Sequence, residues 1–186
     1  MTTLCVFCGS SVGRPDTFAR SANALGSAMA SRGIDLVYGG GSIGLMGVVA
    51  DAVLTGGGQA TGIITEALAG HEIAHQSLSN LEIVSTMHER KARMAELSDG
   101  FVMLPGGVGT YEEFFEAVTW AQLRIHDKPC GVLNVDHFFD DLLRFLDGAV
   151  DSGFIKEERI RQLTVTDDVA FLLNALESTL SAQSPG

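Results

Sequence analysis

The fold is decided around one stretch of sequence, Leu104-Pro105-Gly106-Gly107-Val108-Gly109-Thr110-Tyr111-Glu112-Glu113. An apolar run, Phe101 to Leu104, leads into this stretch, and an amphipathic pattern of apolar residues leaves it. The stretch therefore predicts a strand, a glycine turn and the start of a helix. Glycines remove the side chains that would keep a ligand away from the backbone, and the free N–H groups of a helix N-terminus favour a phosphate or another oxyanion.

Two acidic residues follow the glycines. Glu112 is accounted for by the preference of helix N-termini for acidic side chains. The same preference applies to Glu113, but a carboxylate one turn into the helix would repel a bound anion. The alternative interpretation is that Glu113 lies beside a phosphate-anchored substrate and acts on it chemically.

The composition is typical of a compact globular protein. The chain has 186 residues, of which 46% are hydrophobic and 19% charged, and this suits one domain with a full-sized core. The net charge of −11 argues against a nucleic-acid partner, because affinity for a phosphate backbone comes from clustered Lys and Arg. No apolar run reaches the roughly 18 residues of a membrane span, and the N-terminus does not look like a signal peptide. We therefore expect a cytoplasmic protein with no membrane partner.

Three cysteines argue against a disulfide framework. Cys5 and Cys8 form a C-x-x-C pattern, but residues three apart on a strand point to opposite faces. We therefore expect both to pack in the core, and we predict no zinc or other metal site.

Short apolar runs alternate with helical patterns along the chain. Strands are predicted at residues 4–7, 35–38, 59–64, 81–84, 101–104 and 130–134, with a short edge strand at 164–165. The last predicted helix covers 169–176, and residues 181–186 are expected to form a frayed tail. The alternation predicts an α/β, Rossmann-like three-layer sandwich, with a mostly parallel central sheet covered by helices on both faces. We expect one nucleotide-binding domain over residues 1–180.

Glycine-bearing loops follow three of the predicted strands, after Phe7, Tyr38 and Leu104. In a parallel sheet all three loops should lie on the same edge, where such sheets bind ligands. The second loop, Gly39-x-Gly41-x-x-Gly44, also matches a dinucleotide-binding fingerprint, with Glu66 about twenty residues further on. The fingerprint normally follows the first strand, so a mononucleotide site or simple tight turns are the preferred interpretations.

A basic pair lies near the start of the third predicted helix. Thr86 and Glu89 have the spacing of a capping box, and Arg90 and Lys91 follow in the first two turns. Such pairs are usually solvated, but positive charge near a helix N-terminus is disfavoured and needs a compensating anion. Arg90 shares a face with Met87 and Met94, which indicates a pocket wall containing a planar, bidentate donor.

A pyridoxal phosphate enzyme needs a Schiff-base lysine. The chain has three lysines, Lys91, Lys128 and Lys156, and none has a persuasive setting for that role. We therefore predict no such cofactor, and no other cofactor.

Met87-His88-Glu89-Arg90-Lys91 and the Pro105 to Glu113 stretch together resemble the Lonely Guy (LOG) family, whose pattern P-G-G-x-G-T-x-x-E is matched at every fixed position. The resemblance extends from Cys8-Gly9-Ser10-Ser11 to Asp127-Lys128-Pro129. Members are cytokinin riboside 5′-monophosphate phosphoribohydrolases, long mislabelled as lysine decarboxylases. The resemblance implies hydrolysis of an N6-substituted AMP, or of AMP itself, to free base and ribose 5-phosphate. A non-catalytic nucleotide-binding or carrier protein on the same scaffold is the alternative.

The resemblance also implies the site residues. Arg90 and Glu113 would be the catalytic pair, and Lys91 with the loop of Gly107, Val108, Gly109 and Thr110 would hold the phosphate. Further substrate contacts are implied at Glu72, Met87, Gly106, Tyr111, Glu112, Thr119, Gly9, Ser10 and Gly40. A homodimer is implied as well, with the helix from Phe114 and Phe115 to Trp120 as its contact surface.

Overall fold

The structure of the chain is a computed structural model that describes residues 2–69 and 74–183. The described residues form one seven-stranded sheet in which every neighbouring pair of strands is parallel. The strands are Thr3–Phe7 (β1), Asp35–Tyr38 (β2), Ala60–Thr65 (β3), Asn80–Val84 (β4), Gly100–Met103 (β5), Cys130–Leu133 (β6) and Leu163–Thr166 (β7). The helices are Asp16–Ser31 (α1), Gly44–Thr55 (α2), Glu66–Ala69 (α3), Met87–Leu97 (α4), Val108–Gln122 (α5), Asp140–Asp151 (α6), Glu157–Ile160 (α7) and Val169–Gln183 (α8), with a 3₁₀ turn at Val135–His137.

The strand order explains where a ligand can enter. The sheet runs β4-β3-β2-β1-β5-β6-β7, so the chain builds outward from β1 in one direction and then crosses back to place β5 on the other side of β1. The loops after β1 and β5 therefore diverge at a switch point, which opens a crevice at the carboxyl edge of the sheet. The predicted common edge for the three glycine loops is confirmed.

Alternation along β1 sends successive side chains into two separate cores. Leu4 and Val6 pack in the core covered by α1, α2 and α8, whereas Cys5 and Phe7 pack in the core covered by α4 and α5. The two cores on opposite faces make the predicted three-layer sandwich, with a sheet that is wholly parallel. Near-continuous apolar strands are expected of a parallel sheet buried on both faces.

The prediction for the cysteines is confirmed. All three are free and buried, and Cys5 and Cys8 lie in different cores. Burial raises the pKa of the Cys5 and Cys8 thiols, and the charge of Glu113 raises both further.

The differences from the predicted elements have simple causes. Two four-residue helices, α3 and α7, were not predicted, because one turn carries no periodic signal. Helix α8 continues to Gln183, so residues 181–183, which were assigned to the tail, are helical, and the rest of that tail lies outside the described residues.

Within the described ranges, none of the helices has the length and apolar character needed to cross a membrane.

Candidate active site

The three glycine loops are joined by backbone hydrogen bonds at the carboxyl edge of the sheet. The Gly9 N–H donates to the Pro105 carbonyl at 3.0 Å, and the Leu45 N–H donates to the Gly9 carbonyl at 3.0 Å. These bonds tie the loop after β1 to the loops after β5 and β2. A cavity of about 360 Å³ opens there, lined by residues of the first and third loops, α2, α3, α4 and the start of α5.

The amino end of α5 forms one wall of this cavity. Gly107 is the N-cap and has no side-chain capping bond, and the Tyr111 N–H makes an early helical bond to the Gly107 carbonyl. The N–H groups of the first turn have no intrahelical acceptors. Val108, Gly109 and Thr110 all line the cavity, so this helix end is available to an anion.

The glycines of this turn serve two different purposes. A Cβ on Gly106 would lie 2.1 Å from the Thr110 hydroxyl oxygen and 2.9 Å from the Gly9 nitrogen, so glycine is needed there for packing. A Cβ on Gly107 or Gly109 would meet nothing within 4 Å. Glycine at these two positions instead leaves space beside the helix end empty, as a closely approaching ligand requires.

Helix α4 holds Arg90 in the opposite wall. The predicted capping box is confirmed: the Glu89 N–H donates to the Thr86 hydroxyl oxygen at 3.1 Å, and the Glu89 carboxylate accepts from the Thr86 N–H at 3.2 Å. This cap fixes the helix start, and Arg90 is buried one residue later. Its Nε donates to the Ile63 carbonyl at 2.9 Å and its Nη2 donates to the Gly39 carbonyl at 3.2 Å.

Close packing explains two of the glycines after β2. A Cβ on Gly39 would lie 2.2 Å from Arg90 Nη2, so only glycine leaves room for the guanidinium. Gly44 has φ +63°, and a Cβ there would lie 2.2 Å from the Ser10 carbonyl carbon. Two glycines of the apparent dinucleotide fingerprint are therefore accounted for, Gly39 by arginine packing and Gly44 by loop crossing.

The remaining nitrogen of Arg90 faces Glu113. The Nη1 atom lies 3.7 Å from Glu113 Oε1, and both side chains are largely buried, at 5% and 13% exposure. A carboxylate in this position raises the pKa of the nearby Cys8 thiol, whose burial also raises it. Glu113 also lines the cavity, as does Cys8 at the end of β1.

Lys91 lies on the same helix but makes different contacts. Its ammonium is hydrogen-bonded to the carboxylate of Glu112 and lies 3.1 Å from Glu116 Oε2. Burial lowers the pKa of Lys91, but the bonds to the two carboxylates outweigh this effect, so its pKa is raised. Lys91 does not line the cavity, and its charge joins α4 to α5.

The apolar part of the cavity includes side chains that were not predicted as site residues. Met46, Leu68 and Cys8 line it together with Met87. Met46 lies in α2 and Leu68 in the short helix α3, and neither position carries a sequence signal for a ligand. Gly9 and Ser10, which the resemblance implied, also line this cavity.

Several predicted contacts are not among the side chains that line the cavity. Thr119 is exposed and donates to the Phe115 carbonyl at 2.7 Å. Tyr111 packs edge-on against Phe139 with the ring centroids 6.4 Å apart. Gly40 has φ +79°, which is a backbone requirement. Glu72 lies outside the described residues.

His75 has a structural role that its loop position did not predict. It is buried, its Nε2 lies 3.0 Å from Asp51 Oδ1, and its backbone N–H donates to the Gly40 carbonyl at 3.0 Å. His75 therefore attaches the segment before β4 to the loop after β2. Across residues 2–69 and 74–183, no three His, Cys, Asp or Glu side chains are grouped so that they could hold a metal ion.

Sequence comparison relates the chain to a large set of enzymes. Residues 46–176 match the family described as "Possible lysine decarboxylase". The chain is 49% identical over 174 residues to cytokinin riboside 5′-monophosphate phosphoribohydrolase LOG2 of Arabidopsis thaliana, covering 94% of this chain and 82% of that protein. It is 53% identical over 152 residues to LOG3 of the same plant, a phosphoribohydrolase of the same name, covering 82% and 71% of the two chains.

Structure comparison finds the same fold in a protein with another task. The molybdenum cofactor carrier protein of Chlamydomonas reinhardtii superposes with a TM-score of 0.73 over 97% of this chain and 98% of that one. Its sequence identity is only 21%, so this likeness concerns the fold alone.

We expect alanine at Gly106 and at Gly109 to have opposite effects on stability. Gly106→Ala forces a methyl group against Thr110 and should destabilise the fold by about 1–3 kcal/mol, which lowers Tm by several degrees. Gly109→Ala enters open space inside a helix. It should leave the free energy of unfolding unchanged or raise it by up to about 1 kcal/mol, so Tm should stay the same or rise. Thermal unfolding followed by circular dichroism measures both, and a large loss of Tm in Gly109→Ala would contradict the proposed open helix end.

Proposed function

We infer the function of this chain from its family: the chain belongs to the LOG family of cytokinin riboside 5′-monophosphate phosphoribohydrolases. It is an N-glycosyl hydrolase that cleaves a cytokinin riboside 5′-monophosphate, an N6-substituted AMP, into free base and ribose 5-phosphate. The observation that links this function to particular residues is the Arg90–Glu113 pair. The pair lies in one wall of a cavity whose other wall is an open helix N-terminus. The residue roles that follow are our proposal.

The nucleotide phosphate is placed at the amino end of α5. The unsatisfied N–H groups of the first turn and the helix dipole both favour an anion there, and the Thr110 hydroxyl lies at the cavity wall. The empty space beside Gly107 and Gly109 lets the phosphate approach the backbone. Binding of the phosphate holds the ribose in a fixed position relative to the catalytic side chains, so binding energy is used to orient the substrate.

Glu113 is the group that acts on the sugar. When the bond between C1′ and the base nitrogen breaks, the electron pair leaves with the base and positive charge develops on the ribose, as in other glycosyl hydrolysis. A buried carboxylate stabilises that charge more strongly than one in water. It can also accept the proton of the water that adds to C1′, while the base nitrogen gains a proton.

Arg90 acts by position and by charge. Its guanidinium is held by two backbone carbonyls and lies 3.7 Å from Glu113, so it places a fixed positive charge beside the carboxylate. The thioethers of Met46 and Met87, with Leu68, form the apolar side of the cavity. A purine ring with an N6 substituent can lie against these flexible side chains.

The competing functions have less support. A carrier on the same scaffold would need the glycine turn but not a buried carboxylate directed into it, and the carrier protein with this fold is only 21% identical. A pyridoxal phosphate decarboxylase would need a lysine with a free amine. Lys91 is bound to two carboxylates and its pKa is raised, which holds it protonated.

We also propose the extent of the domain, the absence of nucleic-acid partners and the compartment of the enzyme. The nucleotide-binding unit is residues 1–180, since all seven strands belong to one sheet. The excess of acidic residues disfavours nucleic-acid partners, and three free buried cysteines suit the cytoplasm.

Removing either charge of the catalytic pair should abolish most of the activity. We expect Glu113→Gln and Arg90→Ala to lower kcat by about a hundredfold or more, because charge stabilisation in the transition state is lost. Release of base from N6-isopentenyl-AMP, followed by chromatography, measures this. Glu66→Gln, which changes an exposed carboxylate outside the cavity, is the matched control and should retain full activity.

If both variants keep activity within about threefold of wild type while remaining folded, the assignment of Arg90 and Glu113 is wrong. Nucleotide binding to Glu113→Gln should persist, because the phosphate site does not depend on that carboxylate. Loss of both binding and activity would indicate a damaged fold, and thermal unfolding of the variant separates the two cases.

Lys91 should behave as a link between α4 and α5. We expect Lys91→Met to leave Glu112 and Glu116 without their cation, to cost about 1–3 kcal/mol of stability, and to lower kcat because α4 and α5 carry the catalytic pair. Lys91→Arg should restore most of both. If Lys91 instead holds the phosphate, Lys91→Met should raise KM strongly with little change in kcat or Tm.

We propose that the enzyme is a homodimer joined through the exposed side of α5. Phe114 was expected in the contact surface, but it is fully buried in its own core, which leaves half-buried Phe115 and Trp120 beside exposed Leu123. Light scattering should give twice the 19.7 kDa of the chain. Phe115→Glu should produce monomers, whereas Phe154→Glu, at an 88% exposed aromatic outside α5, should not, and a monomeric wild type would refute the dimer.

A further inference from the structure

Another cavity shares no lining residue with the one that contains Arg90 and Glu113. It has a volume of about 810 Å³ and is bounded by the carboxyl end of α5, the segment before β6, the starts of β6 and β7, and α8. These are the amino ends of the strands, so the cavity lies at the edge of the sheet opposite the catalytic cavity. We call it the basic cavity because Arg124, Lys128 and Arg159 line it, against one acidic residue, Asp127.

The arginines of the basic cavity are unusual within this chain. The protein has nine arginines and a net charge of −11, and six of the nine lie within ion-pair distance of a carboxylate. Among the described residues, Arg124 and Arg159 have no such partner and make no side-chain hydrogen bond. Carboxylates are abundant on this surface, so two unpaired arginines in one cavity indicate that an anion from outside the chain is their partner.

The backbone at Arg124 gives an independent reason. The Arg124 N–H donates to the Ala121 carbonyl and the Ile125 N–H donates to the Trp120 carbonyl, which is the Schellman arrangement that ends a helix. Arg124 occupies its left-handed position, with φ +60°, where glycine is usual and a side chain is strained. A cation at a helix C-terminus complements the dipole, but a neighbouring position would give the same benefit without the strain.

The other lining groups define the kind of anion. Gln122, Gln162 and Thr164 offer neutral hydrogen-bonding groups, while Val118, Ile125 and Leu163 provide apolar surface. The volume falls in the range of small-molecule sites. Lys128 is already used, since its ammonium donates to the Ala95 carbonyl at 2.6 Å, so the two arginines are the free donors.

We propose that the basic cavity binds a small organic anion, a carboxylate or phosphate on an apolar body, with Arg124 and Arg159 as its ligands. A guanidinium matches either anionic group with two parallel hydrogen bonds. The site is distinct from the catalytic cavity, and α5 is the one element that contributes to both, through Val108 to Thr110 at one end and Val118 to Gln122 at the other.

The test uses phenyl phosphate and benzoate as organic probes and inorganic phosphate as the probe without an apolar body. Backbone amide shifts in two-dimensional NMR report each site separately: Thr164 and Thr179 for the basic cavity, Gly109 for the catalytic cavity. We expect saturable shifts at Thr164 and Thr179 with at least one organic probe, and binding at least about tenfold weaker for inorganic phosphate. Shifts at Gly109 alone would overturn the proposal and leave the proposed function intact.

The decisive variant is Arg124→Gly, because glycine suits the left-handed position and the variant should fold at least as well as wild type. We expect it to weaken probe binding at the basic cavity by about tenfold or more, as should Arg159→Gln. Arg14→Gln, which removes the third arginine without an ion pair in the described structure, should change binding by less than about twofold. Equal losses of probe binding in all three variants, or no loss in Arg124→Gly and Arg159→Gln, would refute the site. Hydrolase activity should stay unchanged in all three variants.

Discussion

The buried guanidinium of Arg90 is the contact on which the rest of the site depends. It is bonded to the carbonyl of Ile63 in β3 and to that of Gly39 just after β2, and it faces Glu113 on α5. Two strands and two helices are therefore fixed against one charged group. Burying such a charge is costly unless it is paired and hydrogen-bonded, and all three partners are supplied by the carboxyl edge of the sheet.

This contact accounts for features of the sequence that otherwise look unrelated. Gly39 is required because a Cβ would lie 2.2 Å from Arg90, so the first glycine after β2 serves the arginine. The capping box of Thr86 and Glu89 fixes the residue at which α4 begins, and thereby the position of Arg90 in its first turn. Two glycines of a motif that resembles dinucleotide binding are thus packing requirements, Gly39 beside Arg90 and Gly44 beside the loop after β1, which shows why glycine spacing alone is weak evidence for a cofactor.

The sequence was sufficient for the sheet, and it named most of the residues that line the candidate cavity, whose roles stay a prediction. It failed where the signal is local or electrostatic. Short apolar runs located all seven strands, including the edge strand β7, because burial on both faces leaves a strong pattern. The Pro105 to Glu113 stretch predicted a strand, a glycine turn and a helix, and that is what the structure has. The sequence could not reveal that Lys91 contacts Glu112 and Glu116, because a contact between side chains of two helices has no characteristic spacing along the chain. Leu68 was missed for a similar reason, since α3 is a single turn.

The charge balance between α4 and α5 explains how an anion can bind beside an acidic helix start. Glu112 and Glu113 would oppose a phosphate at the first turn of α5, although the helix dipole attracts it. Lys91 is paired with Glu112, and Arg90 lies beside Glu113. Each carboxylate therefore has a buried cation next to it. The N–H groups of the turn can then act on the phosphate with less opposition from the two carboxylates. With the roles that we propose, Lys91 supports phosphate binding without touching the phosphate, and Arg90 holds Glu113 beside the sugar.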